Sequence, residues 1–204
     1  MGVLGTDLST FCGLTTQPRP TSIYGATKLA QEHILRAWAV SFAVDAAILR
    51  LQNVYGPGQS VYNPYAGIVP LFALSARAGE TISLYEDGEV TRDFVFIEDV
   101  AQAICRVASD GAPSDIPYDV GSGEATSIRQ LATIIAGIYQ APAPSVTGAF
   151  RNGDVRHASC DILRTRADLA WAPNWGLERG VIKLCRWIEE RLAAGNGSEK
   201  RNPG

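Results

Sequence analysis

Cysteine and histidine are scarce in this sequence and widely spaced. His33 and His157 are the only two imidazoles, and no two cysteines form a CxxC pair. A zinc centre needs clustered thiolate or imidazole ligands, so we expect no metal site. We interpret the cysteines as reduced thiols, with Cys105 and Cys185 on apolar helix faces. The full set is Cys12, Cys105, Cys160 and Cys185.

Long apolar runs and concentrated basic charge are also lacking. No stretch approaches the roughly 18 apolar residues of a membrane span. Residues 1–14 carry neither the basic segment nor the sustained apolar stretch of a signal peptide. The 18 Lys and Arg residues are scattered through a chain of net charge -3, so no basic stripe could neutralise a nucleic-acid backbone. We therefore expect a cytoplasmic protein that binds neither membrane nor nucleic acid.

The sequence does contain enough apolar residues, 46% of 204, to fill a core. Ser22 is a candidate N-cap for a helix whose apolar positions run to Trp38, and residues 46–51 have the length of a buried parallel strand. The other predicted elements are helices over 68–78, 97–109, 127–139, from near 161 and over 177–188, and strands over 81–85, 92–96 and 116–120. This alternation predicts an α/β fold, a mostly parallel sheet with helices against it and a smaller lobe past about residue 60.

Tyr24 and Lys28 place a phenol and an ammonium group four residues apart near the start of the first predicted helix. This spacing puts both side chains on one helix face. A nearby ammonium stabilises a phenolate, which could then exchange a proton with a sugar hydroxyl while hydride moves to or from a nicotinamide cofactor. A Tyr-x-x-x-Lys pair alone is common in helices, so its meaning depends on its context.

Five phrases occur together with this pair. They are SIYGATKLAQE (22–32), RLQNVYGPGQ (50–59), RDFVFIEDV (92–100), YDVGSG (118–123) and RNGDVRH (151–157). In this order they resemble motifs of the NAD-dependent epimerase/dehydratase family, a branch of the extended short-chain dehydrogenases. The third is similar to the family's RDFVHVDDV, the fourth to NVGSG and the fifth to a GDIRH variant of nucleoside-diphosphate-sugar epimerases. The resemblance covers the chain from about Ser22 to Arg191, and it implies the C-terminal part of a Rossmann-like parallel sheet plus a smaller α/β substrate-binding lobe.

The resemblance implies roles for individual residues. Tyr24 matches the general acid/base. Lys28 matches the residue that stabilises the phenolate and bonds the nicotinamide ribose of NAD. Asn53 matches a substrate contact. Three further matches are to the nucleotide of an NDP-sugar: Arg92 and Arg151 to ligands of the diphosphate, and Asp154 to an acceptor for a ribose hydroxyl.

Structural alternatives stand beside these roles. Arg92 could be a strand-end surface charge, and Arg151 a loop charge. Asn53 could hold the turn of residues 55–58 by side-chain hydrogen bonds. His157 could bond a phosphate or pair with Asp154.

The family's N-terminal fingerprint is not found in these residues. A complete member begins with a strand, a Gly-rich turn and a helix that hold the NAD pyrophosphate, and residues 2–5 give only a superficial echo of it. At about 30 residues per βαβ unit, three absent units correspond to about 90 residues. The family's Ser or Thr for the reacting hydroxyl has no clear match either, because Thr6, Ser9 and Thr10 lie too close to Tyr24. We therefore expect an N-terminally truncated member.

The expected organisation follows from this comparison. Residues 1–60 form a residual NAD-binding Rossmann part with the catalytic helix. Residues 61–194 form mainly the substrate-binding lobe with interleaved Rossmann elements, and residues 195–204 form a disordered tail. A half-built sheet exposes an apolar edge and helix face, so we expect a homodimer or another association through that face.

The expected function is that of an NAD-dependent nucleotide-sugar epimerase, acting at C4 of an NDP-hexose, or a fragment of one. The segment 153–157 favours an epimerase over a 4,6-dehydratase, which stays an alternative. A second alternative is a non-catalytic module that binds a sugar nucleotide, because the candidate nucleotide ligands are present and the Gly-rich fingerprint is not. A purely structural fragment would bind neither ligand.

Overall fold

The computed structural model describes residues 18–20, 22–61, 63, 67–111, 116–149 and 155–198. Within these ranges the chain alternates helices with short strands, as the sequence predicted. The helices are α1 (Ile23–Phe42), α2 (Ile68–Arg77), α3 (Ile97–Asp110), α4 (Ile128–Tyr139), α5 (Leu163–Leu169) and α6 (Leu177–Ser198). The strands are β1 (Leu49–Leu51), β2 (Asn53–Tyr55), β3 (Ser83–Leu84), β4 (Thr91–Arg92), β5 (Phe94–Phe96), β6 (Tyr118–Val120), β7 (Thr126–Ser127), β8 (Ser145–Val146) and β9 (His157–Ala158).

Serine caps set the start of two helices. Ser22 Oγ accepts a hydrogen bond from Gly25 N at 3.1 Å, and Ser127 Oγ accepts one from Gln130 N at 3.1 Å. Each bond satisfies one of the free N–H groups at a helix N-terminus. The predicted starts of α1 and α4 are therefore confirmed.

Strand pairing is mostly parallel. β1 pairs with β6 in the register Leu49↔Tyr118, and β2 pairs with β5 in the register Asn53↔Phe94. The pairs β3–β8 and β4–β9 are also parallel, while β4–β7 is antiparallel. The strands of the described residues form three two-stranded sheets and one three-stranded sheet. The α/β fold with mostly parallel strand pairing is thus confirmed.

Two hydrophobic clusters form the core, and strand β5 lies between them. Phe94 and Phe96 pack into the first cluster, with α2, α4 and α6. Val95 packs into the second, with residues of α3, β6 and α5. Successive side chains of a strand point to opposite faces. A strand buried on both faces carries no polar alternation, which is why residues 94–96 are apolar throughout.

Helix α1 rests on the body by a different face from the one its apolar pattern predicted. Its buried positions are Gly25, Glu32 and Ala39. Ile34 and Trp38, which belong to the apolar pattern that predicted this helix, are instead 67% and 50% exposed, so Trp38 does not pack in the core. The cause is an ion pair, described below, that holds Glu32 on the buried face of the helix. The more apolar stripe of α1 therefore faces outward.

Two further details differ from expectation. Cys105 is exposed rather than on a packed helix face, although it, Cys160 and Cys185 are free thiols as predicted. Helix α6 continues to Ser198, inside the segment 195–204 that was expected to be disordered. Cys12 and residues 199–204 lie outside the described residues.

Gly180, in the first turn of α6, offers a test of the packing between α6 and strands β2 and β5. A methyl group at position 180 would overlap Tyr55 Oη and lie 2.9 Å from Phe96 Cδ2. We expect Gly180→Ala to lower the free energy of unfolding by about 1–3 kcal/mol, the usual cost of overpacking. Urea unfolding followed by circular dichroism measures this change.

The matched control is Gly137→Ala in α4, because nothing lies within 4 Å of the added methyl group. This variant should be more stable by about 0.5–1 kcal/mol, since alanine is the better helix former. Equal stability of the two variants would contradict the close approach of Tyr55 to α6.

Candidate functional site

Tyr24 and Lys28 lie one turn apart at the start of α1. Lys28 Nζ is 5.7 Å from the centre of the Tyr24 ring and donates to Gln31 Oε1 at 3.3 Å. Tyr24 is 62% exposed, so a ligand can reach it. The structure therefore brings the predicted pair together on an accessible helix face.

Glu32 fixes this helix to the sheet. Its carboxylate accepts from Arg50 Nε at 2.8 Å and from Arg50 Nη2 at 2.9 Å, while Arg36 Nη1 lies 3.7 Å away. The Glu32 and Arg50 side chains are only 9% and 12% exposed. A paired fork of this kind holds both distance and orientation. Glu32 received no role from the sequence, although its spacing of seven residues from both Gly25 and Ala39, two small residues, was a usable signal.

Asn53 follows Arg50 closely and begins β2. Its backbone N–H donates to Asp93 O at 2.9 Å. The turn after β2 is held by another side chain, because Gln59 Oε1 accepts from Gly56 N at 3.2 Å. Among the hydrogen bonds of the described residues, Gln59 thus performs the turn-holding role that was the alternative for Asn53.

Arg92 ends β4 and is buried, with 8% of its surface exposed. Its Nη1 donates to Thr91 O at 2.7 Å and to Arg156 O at 3.5 Å. Beside it, Thr91 Oγ1 lies 3.1 Å from His157 Nδ1. Because Arg92 is buried, the alternative that it is a surface charge is excluded. His157, in turn, contacts Thr91.

Asp93 occupies the one-residue gap between β4 and β5 and is fully buried. Its Oδ1 accepts from Ser122 N at 2.7 Å and from Ser122 Oγ at 2.7 Å, and its Oδ2 accepts from Gly123 N at 3.0 Å. The carboxylate therefore fastens the turn after β6 to the strand that carries Arg92. Asp93 lies within one of the family-like motifs but received no role from the sequence.

Arg151 and Asp154 lie outside the described residues, so their roles stay predictions. Arg156, which follows them, is paired with Glu86 at 3.1 Å and with Asp87. The hydrogen bond from Arg156 holds the pKa of the Asp87 carboxyl below its ordinary value. The turn after β3 is in this way attached to the start of β9.

A cavity of about 320 Å³ lies on the flank of α1. It is lined by Pro18, Leu29, Glu32, His33, Arg36 and Arg50, so it adjoins the Glu32–Arg50 pair. Among the residues that the structure describes there is no cluster of His, Cys, Asp and Glu that could hold a metal ion. In the same part of the chain, no helix is long and apolar enough to cross a membrane.

Parallel strand pairs flanked by a helix that presents a Tyr–Lys pair define an α/β protein with a candidate proton-transfer site. The sequence pattern of one family matches residues 9–121, and its description is the NAD dependent epimerase/dehydratase family. The chain belongs to this family.

Several proteins of this kind are similar to the chain. The dTDP-L-rhamnose 4-epimerase of Burkholderia thailandensis is 58% identical over 177 residues, which are 87% of this chain and 49% of that protein. The UDP-glucose 4-epimerase of Mycolicibacterium smegmatis is 36% identical over 172 residues, 84% of this chain and 54% of that protein. The chain thus spans about half the length of the curated relatives it matches.

Among solved structures, the UDP-glucose 4-epimerase of Thermotoga maritima with UDP-glucose aligns with a TM-score of 0.85 at 28% identity. The alignment covers 94% of this chain and 62% of that one. The Rossmann-like architecture expected from the sequence is confirmed by this likeness.

The Glu32–Arg50 fork gives a testable prediction about α1. Lysine cannot make two parallel hydrogen bonds to one carboxylate, so we expect Arg50→Lys to lower the free energy of unfolding by about 1–3 kcal/mol. The control is Arg77→Lys, whose exposed pair with Glu189 should be worth under about 1 kcal/mol. Chemical denaturation measures both, and equal losses would contradict a special role for the buried fork.

Proposed function

We propose that this chain supplies the catalytic helix and the sugar-nucleotide-binding half of an NAD-dependent epimerase acting at C4 of a dTDP- or UDP-hexose. The observation that carries the proposal is the Tyr24–Lys28 pair, accessible at the start of α1. Family membership and the 58% identity to a dTDP-L-rhamnose 4-epimerase support it.

The proposed chemistry is proton transfer at the sugar. Tyr24, as phenolate, accepts the proton of the C4 hydroxyl and later returns it, and the Lys28 ammonium stabilises the negative charge. A bound NAD would supply the hydride acceptor and donor for C4 of the sugar. Of the residues described here, Tyr24 and Lys28 fit the nicotinamide ribose, because both lie on one open helix face.

Two of the proposed nucleotide ligands, Arg92 and Asn53, lie on strands. Arg92 brings a guanidinium group to the end of β4, two residues before Phe94, which pairs with Asn53 at the start of β2. Guanidinium groups pair with diphosphate oxygens through charge-assisted hydrogen bonds. We assign Arg92 to the diphosphate and Asn53 to the sugar, and we propose Arg151 and Asp154 as further ligands of the diphosphate and the ribose.

The alternative function is a sugar-nucleotide-binding module without catalysis, in which Arg92 and Asn53 bind a nucleotide and Tyr24 transfers no proton. Parallel calorimetric titrations of the 204-residue chain with NAD, UDP-glucose and dTDP separate the two. Binding of NAD together with a nucleotide supports the epimerase, whereas binding of a nucleotide alone supports the module. Binding of none of them contradicts both.

Arg92→Ala should weaken the binding of dTDP or UDP by about 2 kcal/mol, because a charge-assisted bond to phosphate is lost. Isothermal titration calorimetry measures the affinity. Arg106→Ala is the control, since Arg106 is exposed on α3 and pairs only weakly with Asp110 at 3.6 Å. An unchanged affinity of the Arg92 variant would remove this residue from the diphosphate site.

Tyr24→Phe should reduce conversion of a UDP- or dTDP-hexose to its C4 epimer at least about 100-fold, the usual contribution of a general acid/base. Nucleotide affinity should stay within about twofold, because the hydroxyl acts in proton transfer. The product is quantified by chromatography of the sugar nucleotides. Tyr139→Phe is the control, since the Tyr139 hydroxyl contacts Cys185 O between α4 and α6. Retained turnover in the Tyr24 variant would show that another group moves the proton.

A further inference from the structure

Three chain segments lose their strand pairing at the same level of the structure. Gln52 separates β1 from β2, Asp93 separates β4 from β5, and Gly121 follows the end of β6. Backbone bonds join the segments there, because Gln52 N donates to Val120 O at 2.9 Å and Asn53 N donates to Asp93 O at 2.9 Å. The three interruptions therefore form one junction, which we call the Asp93 junction.

The carboxylate of Asp93 is the central acceptor of this junction. Besides its bonds to Ser122 and Gly123, its Oδ2 lies 3.5 Å from the thiol of Cys160, which is also buried. A fully buried carboxylate persists only when its oxygens are hydrogen-bonded, as they are here. Asp93 thus draws the turn after β6 and the residue at position 160 toward a single point.

Packing leaves no room for this carboxylate to move. A methyl group on Gly121 would lie 2.5 Å from Asp93 Oδ2, 2.6 Å from Cys160 Sγ and 2.8 Å from Gln52 Cγ. Such distances lie inside van der Waals contact, so the glycine lets the three groups approach. The position of the Asp93 side chain is consequently fixed by sterics as well as by hydrogen bonds.

The junction controls the two residues assigned above to the nucleotide sugar. Arg92, the last residue of β4, directly precedes Asp93, which connects β4 to β5. Fixing the Asp93 side chain therefore constrains the backbone at the end of β4 and the direction in which the Arg92 side chain leaves it. Asn53 is held from the other side, by its backbone bond to Asp93 O.

We propose that Asp93 is the positioning residue that sets Arg92 and Asn53 in register for the nucleotide sugar. This inference rests on the proposed function, in which these two residues bind the diphosphate and the sugar. Asp93 itself is buried behind them and acts through the backbone of β4 and β2. The asparagine side chain has the same shape but carries an NH₂ group in place of one oxygen. It can therefore accept either from Ser122 or from Gly123 and Cys160, but not from both sets of donors.

The test compares the 204-residue chain with its Asp93→Asn variant by two readouts. The first is the NMR signals of the Arg92 Nε–H group and the Asn53 backbone N–H, recorded without ligand. The second is the affinity for dTDP and for UDP by calorimetry. We expect both signals to shift and affinity to fall by about tenfold or more, as when a buried acceptor network is broken.

A matched control separates positioning from a general loss of stability. Val181→Ala opens a cavity in the first hydrophobic cluster, on α6, and should destabilise the chain without moving either signal. Its nucleotide affinity should stay within about twofold of the original chain. If Val181→Ala weakens binding as much as Asp93→Asn does, or if Asp93→Asn leaves both NMR signals in place, the proposal is overturned.

A graded variant keeps the proposal testable if Asp93→Asn does not fold. Ser122→Ala removes one donor to Asp93 and retains the backbone donors, so both signals should shift less and affinity should fall by about threefold. Unchanged signals in Ser122→Ala would then overturn the proposal. If the original chain binds neither dTDP nor UDP, the proposed function fails, while the Arg92 and Asn53 signals still decide whether Asp93 positions them.

Discussion

The arrangement of the candidate site depends on the burial of one ion pair, Glu32 with Arg50. Two charges leave water here, and a forked pair of hydrogen bonds offsets part of that cost. The ion pair fixes geometry, because it connects the helix of Tyr24 and Lys28 to the strand that leads to Asn53. A purely apolar contact would hold the helix to the sheet but leave it freer to rotate about its axis. In the proposed function, the angle of α1 determines where the Tyr24 hydroxyl meets the sugar.

Rotation of α1 toward this pair also explains its outer surface. A helix has one face that can meet the body, and Glu32 occupies the middle of that face. Ile34 and Trp38 then project into solvent and form an exposed apolar face, a feature that in other proteins marks an interaction surface. The relatives are about twice as long as this chain, which covers 49% of one and 54% of the other.

The sequence predicted what depends on neighbours along the chain. Ser22 and Ser127 act on N–H groups three residues ahead, so the starts of α1 and α4 could be inferred from local pattern alone. Tyr24 and Lys28 were recognisable for the same reason, since one helical turn brings them together. The strand predicted over 46–51 proved shorter, because pairing with β6 covers only Leu49–Leu51. The apolar pattern did not predict that Trp38 is exposed. Glu32 and Asp93 received no role, because their hydrogen-bond partners lie 18 or more residues away. Arg151 and Asp154 remain predictions from resemblance.

Strand β5 has a consequence for how this protein can change over generations. Its three residues face two cores in turn, with Phe94 and Phe96 on one side and Val95 on the other. A substitution that shifts the strand to suit one core displaces side chains in the other. Substitutions in the two cores are therefore expected to be coupled. A change in side-chain volume on one side of β5 requires a compensating change on the other side.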